Sequence, residues 1–102
     1  MAETPDTFAF TAPLWRHSGA AGWHFVTLPP AIADDIEALT SQRSVAFGSV
    51  PVRVTVGATT WTTSLFPSTE AGSYVLPVKA QVRRSEGLDA GDDVGVSLVV
   101  AV

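Results

Sequence analysis

Valine occupies every second position of Val50-Pro51-Val52-Arg53-Val54-Thr55-Val56. Strict alternation puts the valines on one face of an extended strand and leaves Pro51, Arg53 and Thr55 on the other. A helix would scatter the same valines around its circumference, so this stretch commits the chain to a sheet with one buried face. Pro51 has no N–H to give a ladder, which places it at a strand start or an edge. Gly57-Ala58 makes a turn, and Thr60 to Phe66, rich in threonine and aromatics, reads as the strand that pairs back, with Pro67 ending it.

The rest of the chain divides into similar short pieces. Phe8, Phe10, Ala12 and Leu14 alternate along Thr7–Leu14 as in a half-buried strand. Trp23 to Leu28 is its partner across the loop Arg16–Gly22, and Pro29-Pro30 closes it. Ile32, Ile36 and Leu39 then recur at helical spacing, with Asp34, Asp35 and Glu37 opposite. A proline near the first helical position and acids in the first turns suit a helix start lying on the barrel mouth or one sheet. Ser73 to Leu76 is a further strand, and a short basic helix over residues 77–84 carries Val78 and Val82 on one face and Lys79 and Arg83 on another. Gly87 stops that helix in a left-handed cap. Val94 to Val102 is apolar almost throughout, which predicts a last strand buried on both sides.

The expected fold is mainly β, a small six-stranded β-barrel with two short α-helices. Residues 1–6 read as a disordered tail, and 7–102 as one barrel domain. Cysteine is absent, which removes disulfides and thiolate sites and fits a reducing compartment. The start is acidic and no apolar run is long enough to span a bilayer, so a cytoplasmic protein is expected, monomeric or a weak dimer. A net charge of −4 argues against broad affinity for nucleic acid or anionic membranes.

Several polar and aromatic groups invite a functional reading. Lys79, Arg83 and Arg84 gather positive charge, and residues four apart on a helix face the same way, so Lys79 and Arg83 can share a phosphate or carboxylate, with Arg53 joining from a strand. The plainer reading is that cations near a helix C-terminus complement its dipole and stay solvated. Trp15, Trp23, Trp61, Phe25, Phe66 and Tyr74 read first as barrel plugs. If they line a cavity, it lies where Trp23, Trp61 and Tyr74 approach Lys79 and Arg83, and suits an acidic small molecule. His17 and His24 read as a loop histidine and a solvent-facing strand histidine, because two imidazoles without an acid or thiol cluster make a poor zinc site. Gly87-Leu88-Asp89-Ala90-Gly91-Asp92 looks like the turn before the closing strand of swapped-hairpin transcription factors, but its physics is that of a turn: Leu88 plugs the core, and Asp89 or Asp92 bonds amides.

Gly22-Trp23-His24-Phe25-Val26, Val50-Pro51-Val52-Arg53, Thr63-Ser64-Leu65-Phe66-Pro67, Tyr74-Val75-Leu76-Pro77-Val78-Lys79, Val82-Arg83-Arg84 and Gly87-Leu88-Asp89-Ala90-Gly91-Asp92-Asp93-Val94 follow one another in that order. The series resembles the bacterial and archaeal family of the domain of unknown function DUF1905, over roughly residues 7–100. The resemblance implies a small β-barrel with helical additions and carries no activity with it. The usual Asn-Gly turn between the central strands is replaced here by Val56-Gly57-Ala58.

The functional expectation is a non-enzymatic binding module for a small anionic ligand or a protein partner, needing no cofactor or metal. The candidate residues are Lys79, Arg83, Arg53, Trp23, Trp61 and Tyr74. The alternative is a DNA-binding regulator built on the basic helix and the turn after it.

Overall fold

The computed structural model describes residues 7–19, 21–41 and 48–101. The expected tail over 1–6, Ala20 of the first loop and Val102 of the last strand lie outside the described residues. The elements run β1 (Thr7–Arg16), β2 (His24–Thr27), α1 (Pro30–Thr40), β3 (Val50–Val56), β4 (Thr59–Ser68), β5 (Ser73–Pro77), α2 (Ala80–Glu86) and β6 (Asp93–Val100). The six strands close into an antiparallel barrel in the order β1-β2-β5-β4-β3-β6.

Alternation decides what fills it. Val50, Val52, Val54 and Val56 all point inward, as do Leu14, Val26, Leu65, Leu76, Val94, Val96 and Leu98, and every one is buried. Helix α1 packs against β5 through its apolar face, with Ala33 and Ile36 buried. Its first turn contains no acid: Asp34 and Asp35 lie in the second turn, and Pro30 alone marks the start. The basic helix begins later than its sequence predicts. Pro77 is the last residue of β5, Lys79 is the N-cap of α2, and Val78 before the helix and Val82 within it reach into the core.

Strand β6 also corrects an expectation. Its burial alternates, with Val94, Val96, Leu98 and Val100 inside and Gly95 and Ser97 outside. Val99 is apolar on the outer face, and it hides the period of two in the sequence. Strand β4 runs through Pro67, which faces Tyr74, because a proline is tolerated where its missing N–H falls at a position that no ladder bond uses.

The turns are held from outside themselves. Gly87 takes φ +64° and caps α2, and the Leu88 N–H donates to the Arg83 carbonyl at 2.9 Å while Leu88 packs on the core. The Asp92 carboxylate accepts from the Asp89 N–H at 2.8 Å. Main-chain bonds from Gly91 N–H to the Leu14 carbonyl and from Leu14 N–H to the Asp92 carbonyl stitch the same turn to β1. The Gly87–Asp92 stretch is thereby consumed by architecture.

Candidate functional site

A cleft opens where β4 and β5 part. The two strands pair only from Phe66↔Val75 to Ser68↔Ser73. Further along, β4 continues beside β3 while β5 ends at Pro77 and the chain turns into α2. The wedge between them is a cavity of about 430 Å³, lined by Trp61, Thr62, Thr63 and Phe66 of β4, by Pro77, Val78, Lys79, Ala80 and Arg83, and by Ala21–His24 of the approach to β2. That volume falls within the ~300–1,000 Å³ of ordinary ligand pockets.

Each wall has a local cause. Trp61 sits inward on β4 and is 9% exposed, so it forms the floor. Trp23 precedes β2 and is 55% exposed; it stacks on Phe25 with ring centroids 6.0 Å apart. Phe66 points outward from β4 and remains 45% exposed. Two of the three tryptophans, Trp15 and Trp23, are thus surface residues and only Trp61 plugs the core. Trp15 donates through its indole N–H to Thr27 Oγ1 at 2.9 Å and packs on Phe25, so an aromatic row runs along the outside of β1 and β2 to the rim of the pocket.

Among the described residues, the charged groups of the lining are of one sign. Lys79 stands at the N-terminal end of α2, where the helix dipole gives a cation no support, so the dipole argument applies to Arg83 and Arg84 of the last turn alone. Arg83 Nε donates to the Val78 carbonyl at 3.2 Å, which folds its side chain back along the helix toward the pocket. His24 is half-buried and lines the pocket instead of facing solvent. Its Nδ1 lies 2.8 Å from the Gly22 carbonyl; a carbonyl only accepts, so Nδ1 carries the proton and Nε2 is the other hydrogen-bonding nitrogen of the ring. Among the described residues, no carboxylate lines the cavity.

Of the residues singled out in the sequence, Trp23, Trp61, Lys79 and Arg83 meet here. Arg53 and Tyr74 do not. Arg53 is on the outer face of β3, one strand away, opposite Thr62. Tyr74 lines a separate groove with Asp34 and Glu37 beneath α1. Phe66, named from the sequence among the aromatics that could line a cavity, and His24, read there as a solvent-facing strand histidine, also line the pocket; Thr62, Thr63 and Pro77 join it without having been singled out. His17 is an exposed loop residue whose Nδ1 accepts from the Gly19 N–H, and among the described residues no group of metal-ligating side chains occurs.

The sequence model of the domain of unknown function DUF1905 matches residues 10–98. The chain belongs to the DUF1905 family. The matched span contains both helices and every residue of the pocket. None of the curated proteins compared with the chain matches it. Among the described residues of this DUF1905 domain, no helix is long and apolar enough to cross a membrane.

Tyr74 is a structural member of the domain with its own pH signature. Burial raises its phenol pKa, the Glu37 carboxylate raises it further, and a hydrogen bond with Thr40 draws it partly back. The folded chain therefore keeps the Tyr74 proton at pH values where the unfolded chain, titrating near 10, has lost it. Its contribution is fully present below pH ~10 and is lost as pH rises through the folded value. Denaturant titrations between pH ~9 and ~11 are expected to show stability falling more steeply in the wild type than in Tyr74→Phe. Parallel slopes would remove this role.

Proposed function

We propose that this domain is a non-enzymatic binding module whose pocket at the β4–β5 seam holds the anionic group of its ligand. One observation carries the reading: in a protein of net charge −4, this cavity is lined by the cations Lys79 and Arg83 and, among the described residues, by no acid. A cleft lined by one sign of charge, with low-dielectric walls, focuses its field and attracts the opposite charge. Trp61, Trp23 and Phe66 supply apolar area for the rest of the ligand, in the usual division between an apolar pocket and a few convergent polar groups. The cysteine-free composition fits a reducing, cytoplasmic setting.

The DNA-binding alternative finds less support. Its turn is occupied by internal hydrogen bonds, and β6 pairs with β1 and β3 of the same chain, leaving no strand to exchange.

The test uses phenylacetate and phenyl phosphate as probes, with tryptophan fluorescence and melting temperature as readouts. At least one probe is expected to quench the emission of Trp23 and raise the melting temperature. Lys79→Ala and Arg83→Ala are each expected to weaken that binding about tenfold, the scale of one charge-assisted hydrogen bond. Arg53→Ala, a strand away, should leave it unchanged. Equal losses in all three variants would reduce the effect to general surface charge and end the pocket reading.

A further inference from the structure

The seam exposes main chain as well as cations. Val56 and Thr59 flank a two-residue turn, so they form the hydrogen-bonded pair that closes the β3–β4 hairpin. Bonded positions alternate along an antiparallel ladder, so Trp61, Thr63 and Leu65 also give their main-chain groups to β3. Thr60, Thr62, Ser64 and Phe66 turn theirs the other way, toward β5. On β5 the same logic runs from the far side. Leu28 N–H donates to the Tyr74 carbonyl and Val78 N–H to the His24 carbonyl, so the even-numbered residues serve β2 and Ser73, Val75 and Pro77 face β4.

If the β4–β5 register continued, Ser64 would oppose Pro77 and Thr62 would oppose Lys79, but pairing stops at Phe66↔Val75. Pro77 has no N–H for the Ser64 carbonyl, and the chain then leaves for α2. Among the described residues, Thr62 and Ser64 have one strand beside them, and Thr62 lies on the wall of the pocket with Lys79 and Arg83.

We propose that the pocket takes the C-terminal end of an extended peptide. Its main chain adds to the Thr62–Ser64 edge, and its terminal carboxylate lies at Lys79 and Arg83. This rests on the anion-binding reading and narrows it. A strand edge is a row of donors and acceptors at strand spacing, and the ligand that matches such a row is another extended main chain. At a rise of about 3.4 Å per residue, the edge has room for roughly three residues. The carboxylate complements a wall with two cations and, among the described residues, no acid, and an apolar side chain of the peptide fits against Trp23 and Phe66.

The wild-type protein is presented with an array of hexapeptides randomised at the last three positions, once with free carboxylates and once with terminal amides. Free-acid peptides are expected to be retained at least tenfold more tightly than their amides. A single N-methyl group on one of the last three peptide nitrogens should cost a further tenfold, and the Thr62 and Ser64 amide resonances should shift on binding. Phenylacetate serves as the control anion. If it binds in a Lys79-dependent way while free-acid and amide peptides are retained equally, the peptide inference is overturned and the anion pocket stands. If peptides bind but N-methylation at every position is harmless, strand addition is overturned. If neither phenylacetate nor any peptide binds, both readings fall.

Discussion

Leu76→Ala is expected to lower the unfolding free energy by about 2–5 kcal/mol, the cost of emptying a fully buried leucine site. Leu76 is 0% exposed and faces Val26 across the β2–β5 ladder. It sits beside the point where β5 leaves β4, so among the described residues no ladder to β4 helps the site collapse. A small domain has only ~5–15 kcal/mol in total, so the loss is a large fraction of it. Urea titration should show the midpoint falling with an unchanged slope. Leu88→Ala, at a half-buried position on the core margin, is the comparison and should cost clearly less. Equal costs for the two would mean that the inside of β5 is not where the barrel is tightest.

Gly57→Val is expected to cost roughly 2–4 kcal/mol for two separable reasons. Gly57 has φ +59°, which strains a β-branched residue by about 1–2 kcal/mol. A Cβ there would also run into the Glu86 carboxylate. That carboxylate accepts from the Thr59 hydroxyl at 2.6 Å and from the Ala58 N–H at 3.3 Å, so the end of α2 is buttoned to the β3–β4 turn. Displacing it forfeits a charge-assisted contact as well as the backbone geometry. In thermal melts of a double-mutant cycle, Gly57→Val with Glu86→Ala should cost less than the two single changes added together, since Glu86→Ala removes the obstacle. Additive costs would show that the backbone alone matters.

Most of the barrel was legible because its signals are local. The four valines of β3, the alternation of β1 and the helical spacing of Ile32, Ile36 and Leu39 each report a period that three-dimensional context leaves intact. Misreadings came where one residue type masks another. Val99 conceals the wet face of β6, and Pro77, which suits a helix start, closes a strand. Of the pocket, Lys79 and Arg83 could be paired from helical spacing, and Trp23 and Trp61 proposed as walls. Tyr74 was drawn to them by nearness in sequence, although it stands three residues before Pro77, roughly 10 Å up the strand. Arg53 was drawn by charge, though β4 comes between. What the sequence could not state is that β4 and β5 separate at Phe66, because register is a relation between two strands. His24, Thr62 and Phe66 acquire their place from that separation.

The closure of the barrel has a consequence for the newborn chain. Strand β6 lies between β1 and β3 and pairs with both, over Thr7↔Val99 to Pro13↔Asp93 and Val52↔Val100 to Thr55↔Ser97. During synthesis the other five strands emerge first, and until β6 arrives two of them keep bare sides that no local hairpin covers. Strand β6 is a keystone set into a waiting slot after the other five, so the growing domain stays open to mispairing until β6 is made. Its closing step joins segments from opposite ends of the domain, a slow kind of encounter compared with zipping a hairpin.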